Sequence, residues 1–215
     1  LPEYIKGYLE GVICAQQKVY GYNFVEEVIT ENVQNELQKY IKMRLDERYG
    51  VPDTHLYANM VNAEITARDR ENLLKAAANV GKVTLYSASK FSENKIEEKG
   101  IIDYENGMPK VFRGSKINLN ITLRSITSGI PLRALDIMGA GGFLLSNYQP
   151  ELAEYFVDGE DMVLFDSAED MCWKLDYYLK HEEERKRIAK CGYEKIKKNF
   201  SYDVQLKKIM HLVSK

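Results

Sequence analysis

Asp136 is the single carboxylate in the stretch SGIPLRALDIMGAGGFLLSN, residues 128–147. Arg133 stands three positions before it, Ser128-Gly129-Ile130-Pro131 leads in, and Gly-Ala-Gly-Gly follows at 139–142. A carboxylate one turn into a helix that follows a parallel strand can accept two hydrogen bonds from a ribose diol. Pro131 suits the first position of such a helix. Backbone N–H groups near Ser128 and Gly129 would then face a phosphate, with Arg124 and Arg133 adding charge for a diphosphate. The alternative is plainer. Arg133 and Asp136, spaced i, i+3, pair on a helix surface for about 0.2–0.5 kcal/mol. The glycine turn matches neither the dinucleotide fingerprint nor the phosphate-binding P-loop, so the residues by themselves leave both readings open.

The elements that must position these residues change character along the chain. Residues 1–80 show only helical periodicity. One helix spans Tyr4 to Tyr20, and a second carries Val25, Val28, Ile29, Val33, Leu37, Tyr40, Ile41 and Leu45. YGVPD (49–53) ends the second, and Asp53 is placed to cap a third that runs to the AAANVG at 76–81. From residue 82 onward come short β-branched or aromatic runs: VTLYS, GIIDY, INLNIT, FLLSN and DMVLF. Crossover segments separate most of them, which predicts a parallel sheet with helices on its faces. Three helices follow, over 168–180, 182–198 and from Tyr202 to the end. The expectation is an α/β fold, a Rossmann-like parallel sheet with flanking helices over 81–215, preceded by an all-helical region over 1–80.

Bulk properties narrow the function. The chain has 215 residues, a net charge of −2 and a sequence pI near 6.0, which argue against nucleic acid as a main partner. Apolar runs such as FLLS fall far short of a membrane span. Three cysteines, Cys14, Cys172 and Cys191, lack metal spacing and read as buried thiols in a reducing cytoplasm. His55, His181 and His211 are scattered and suggest no metal site. Residues 181–215 hold ten Lys or Arg against five Asp or Glu. Such a tail is either a solvated helix face or a peripheral contact with an anionic membrane.

The block SKINLNITLRSITSGIPLRALDIMGAGGFLLSNYQPELAEYFVDGEDMVLF (115–165) resembles the C-terminal domain of CgeB-type, spore maturation protein B-like glycosyltransferases. The resemblance covers about residue 83 to the C-terminus. It implies the donor-binding half of a GT-B fold, whose two Rossmann-like domains clamp a nucleotide diphosphate sugar between them. That sugar nucleotide is the donor substrate, and no separate cofactor or metal is implied. In this resemblance Asp136 falls where an acid binds the ribose hydroxyls. Ser128 takes the place of a second acid eight positions earlier, so the stereochemical outcome is left open. Glu154 with VDGEDMVLF matches a downstream element, and Tyr104, at the end of GIIDY, is a candidate neighbour of the base. The GR…KG phosphate clamp of many relatives is missing, which leaves Lys90, Arg124 or Arg133 as substitutes. With no strand pattern in 1–80, the chain reads as a piece of a longer enzyme whose acceptor domain lies N-terminal, inactive in isolation. Two rivals remain: a nucleotide-binding module without chemistry, and a helical interaction protein.

Overall fold

The computed structural model describes residues 1–41, 53–88, 90, 91 and 93–214. These divide into two units, one of residues 1–71 with 122–127, the other of 72–121 with 128–215.

The first unit is built from helices α1 (Glu3–Gln17), α2 (Val25–Val28), α3 (Glu31–Gln38) and the first part of α4 (Asp53–Val80). Ile5, Val12, Val25, Leu37, Tyr57 and Ile65 are among its buried core residues. Two helical expectations are corrected here. The first helix stops at Gln17 rather than Tyr20, because the buried Gln16 amide organises the next turn. Its Nε2 donates to the Val19 and Tyr22 carbonyls, and its Oε1 accepts from the Phe24 amide. The helix expected over 25–45 is broken at Ile29 and Thr30. Ile29 leaves helical geometry at φ −78°, ψ 68°, and Thr30 is extended at φ −64°, ψ 164°. Two adjacent β-branched residues favour such a break. The end of that expected helix and most of YGVPD lie outside the described residues.

The second unit contains both sheets. Strands β1 (Val83–Leu85) and β2 (Ile96–Glu98) pair in parallel. Strands β3 (Asn118–Asn120), β4 (Leu144–Asn147) and β5 (Val163–Phe165) form a second parallel sheet in the order β3-β4-β5. Helices α5 (Met108–Gly114), α6 (Leu132–Gly139), α7 (Pro150–Tyr155), α8 (Ala168–Lys180), α9 (Glu182–Asn199) and α10 (Tyr202–Val213) accompany them. The mixed α/β architecture with parallel sheets and flanking helices is therefore present, and the three last helices fall where periodicity puts them. Among the described residues of 1–80 every regular element is helical.

GIIDY is not a strand. Its place in the pairing is taken by Ile96–Glu98, where Ile96 is buried and Ile101 is 81% exposed. Asp103 explains the difference. Its carboxylate accepts from the Asn106 amide at 2.6 Å, and its carbonyl accepts from Gly107 and Met108 at 3.1 and 2.8 Å. An aspartate that captures the backbone ahead of it in this way makes a turn in place of a ladder. The cysteines are also less buried than expected: Cys14 is exposed, and Cys172 and Cys191 are partly exposed.

All four residues of β4 are buried, as a central parallel strand requires. The chain enters it through Gly141, at φ +77°, and Gly142. A Cβ at Gly142 would lie 2.6 Å from the Phe112 carbonyl oxygen and 2.7 Å from Asn118 Nδ2. That amide spans the joint, donating to the Phe112 and Phe143 carbonyls at 2.8 and 3.2 Å. A second close approach occurs at Gly192 of α9, where a Cβ would lie 2.3 Å from the Asp161 carbonyl oxygen. Gly142→Ala and Gly192→Ala should each cost about 1–3 kcal/mol in urea unfolding, since backbone has to move. Gly139→Ala, whose Cβ meets only Ile196 at 3.6 Å, should be tolerated in the same assay.

Candidate functional site

Because β3 and β4 are parallel, α6 between them runs back against the strands, and its N-terminus lies at the carboxyl edge of the sheet. Pro131 is its N-cap at φ −58°, and no side chain caps the helix. The first-turn amides thus keep the partial positive charge that attracts an anion. Ala134, Ile137 and Met138 bury one face of α6, which leaves Arg133 and Asp136 toward the accessible side.

Asp136 is partly buried, and its carboxylate accepts a hydrogen bond from the Tyr104 hydroxyl. It does not ion-pair with Arg133; the Arg133 guanidinium instead lies over the Phe112 ring, 6.0 Å from the centroid. The surface-pair alternative for these two residues is therefore not what the structure adopts. The hydrogen bond to Asp136 pushes the Tyr104 phenol above its ordinary value of 10.0, and the charge of Arg133 works in the opposite direction. Tyr104, 56% exposed, sits in the Asp103–Gly107 turn. Three of the residues expected at the site, Tyr104, Arg133 and Asp136, are thereby brought together.

The others behave differently. Ser128 is exposed, and Gly129, at φ +87°, donates its amide to Glu151 Oε1 at 3.1 Å in place of facing outward as expected. Glu154 is exposed on α7 one turn further on. Glu151, not Glu154, is the α7 acid that reaches the loop before α6. Its second oxygen, Oε2, is buried without a hydrogen-bond partner among the described residues. The signal for Glu151 was present in the sequence: it follows Pro150 at the start of a helix directly after a strand, so it belongs to the same sheet edge. Within VDGED, Asp158 accepts from the Leu164 amide at 2.8 Å, and Asp161 binds the Val157 amide and Lys195 at 2.9 and 2.6 Å.

Arg124 belongs to the first unit and is buried there. Its Nε donates to Asp69 at 2.6 Å and its Nη1 to the Val19 carbonyl at 2.7 Å, while its guanidinium lies 4.5 Å from the Tyr20 ring centroid. The Asp69 and Arg124 side chains are 8% and 7% exposed. Breaking such a pair strands a buried charge. Among the described residues no group of three or more His, Cys, Asp or Glu side chains is placed to hold a metal.

Residues 68–211 match the family model described as glycosyl transferase-like. Neither a curated protein nor a solved structure matches the chain.

Two outcomes follow from this geometry. Site-resolved NMR should place the Tyr104 phenol above its ordinary value, with the bond to Asp136 intact at neutral pH and lost as pH rises through the elevated pKa. Asp136→Asn should return that titration toward the ordinary range. Arg124→Met should cost about 3–5 kcal/mol in denaturant unfolding by leaving Asp69 unpaired. Combining it with Asp69→Leu should recover a large part of the loss.

Proposed function

Since the chain belongs to the glycosyl transferase-like family, we propose that its second unit binds the donor, a nucleotide diphosphate sugar, for transfer of the sugar to an acceptor. In this reading the unit is the Rossmann-like donor half of a GT-B enzyme of the CgeB type. The observation that carries it is Asp136, a carboxylate on the first helix beyond β3, accessible at the carboxyl edge of a parallel sheet and not neutralised by Arg133.

Asp136 accepts the two ribose hydroxyls and exchanges its bond with Tyr104 for one of them. Tyr104 then flanks the base, offering a ring face that suits any nucleobase. The diphosphate takes the uncapped first turn of α6 together with Arg133. Arg124 is left out of this assignment because Asp69, Val19 and Tyr20 already hold it. Departure of the diphosphate puts negative charge on the β-phosphate. The first-turn amides of α6 are fixed by the helix and stabilise that charge without reorganising, and the Arg133 guanidinium adds to them by moving off the Phe112 ring.

Ser128 stands where the resemblance puts a second carboxylate, and that favours a second reading: a nucleotide-binding module without transfer chemistry. Release of nucleoside diphosphate from a sugar nucleotide separates the two.

Titration calorimetry of the chain against UDP, GDP, dTDP and their sugars tests the donor assignment. Selective binding of one nucleotide is expected, weakened at least about tenfold in Asp136→Ala, as loss of a charged hydrogen-bonding partner predicts. The variant's circular dichroism should be unchanged, because the position is partly exposed on a helix. Unaltered affinity in Asp136→Ala would remove the ribose assignment.

A further inference from the structure

We propose that helix α10 is a peripheral docking element for an anionic lipid surface. No residue of α10 is buried, although half of the helix is apolar. Tyr202, Leu206, Ile209, Met210 and Val213 recur at helical spacing along one side, and each is between 54% and 89% exposed. Leu212, 73% exposed, widens that face. An isolated exposed apolar side chain is ordinary, but a continuous stripe of this kind on one helix is an interaction surface. The helix is tethered at its start. The Phe200 ring stacks on Phe156 at 5.3 Å and meets Tyr155 edge-on at 5.9 Å, so α10 begins from a fixed point.

Charge selects the occupant. Residues 197–215 carry five lysines against one aspartate. Lys207 and Lys208 are exposed and flank the apolar face on its two sides, while Lys197 and Lys198 are exposed at the end of α9. An apolar stripe bordered by lysines is the arrangement that lies in the interface of an anionic bilayer. The stripe enters the acyl boundary and the ammonium groups reach back to the headgroups. An apolar protein surface without carboxylates beside it would gain nothing from the lysines. Among the described residues no helix is long and apolar enough to cross a membrane, so the contact proposed is one of lying on the surface.

Co-sedimentation of the whole chain with vesicles of phosphatidylcholine, with or without phosphatidylglycerol, tests this. Binding is expected on the anionic vesicles and should fall as salt is raised. Each lysine near such a surface contributes about a fivefold gain in partitioning, so Lys207→Glu with Lys208→Glu should weaken binding more than about tenfold. Leu206→Ser with Ile209→Ser should abolish it, and both pairs are exposed, so their circular dichroism should match the parent. Failure of the parent chain to bind anionic vesicles would overturn the proposal, as would binding retained by both paired variants. A concentration-dependent dimer in sedimentation equilibrium, dissolved by Leu206→Ser with Ile209→Ser, would give the face to a second copy and also overturn it. No nucleotide is present in these assays, so their outcome is independent of the donor assignment.

Discussion

The joint between α6 and β4 is the constraint from which the rest of the second unit follows. Gly141 turns the chain through a left-handed conformation, and Gly142 then passes within contact of the Phe112 carbonyl and the Asn118 amide. Only a residue without a Cβ permits that approach, because the atoms on the other side are backbone and a committed side-chain amide. The joint sets the depth at which β4 enters the sheet and, through it, the height of α6 above the strands. Asp136 and Arg133 inherit their positions from that placement. A second glycine, Gly192, lets α9 lie against the Asp161 backbone and close the other side of Met138. The two contacts together clamp α6 between the sheet and α9.

Electrostatics at the sheet edge follow from the same placement. The uncapped start of α6 attracts anions, and Asp136 lies beyond the first turn, where it does little to cancel that field. Tyr104 gives the carboxylate a neutral partner that a ligand hydroxyl can replace at little cost, because one O–H donor is exchanged for another. Arg133 stays apart from Asp136, its guanidinium resting over Phe112. Glu151 secures the loop ahead of the helix through the Gly129 amide, which limits how that loop approaches an anion.

The first unit holds residues 122–127 by a different device. Residues 122–127 belong to it by virtue of Arg124, whose guanidinium binds Asp69 and the Val19 carbonyl, and whose backbone amide donates to the Thr66 hydroxyl at 2.9 Å. Asn23 adds a bond to the Arg124 carbonyl at 2.6 Å. An excursion of the chain between β3 and α6 is thus stapled by polar contacts into a helical unit. A buried pair of this kind is worth little in net stability but strongly specifies where a segment must sit.

What the sequence by itself determined was local. Periodicity placed the three C-terminal helices, the VTL, NLN, LLSN and VLF strands, and the α6 that carries Asp136, because each depends on the spacing of neighbouring side chains. The resemblance to glycosyltransferases rested on a contiguous block and held at the level of the family. Tertiary structure decided the partners. GIIDY carries a strand-like composition, yet Asp103 turns it and Ile96 takes the place in the sheet. Arg124 looked like a free cation at a phosphate site, yet its counter-ion comes from Asp69, 55 positions away. Tyr104 meets Asp136 across 32 residues, and Glu151 meets Gly129 across 22. No spacing rule reaches that far: local propensity states which residues share a face, and only the packing of one face on another states which charge finds which partner.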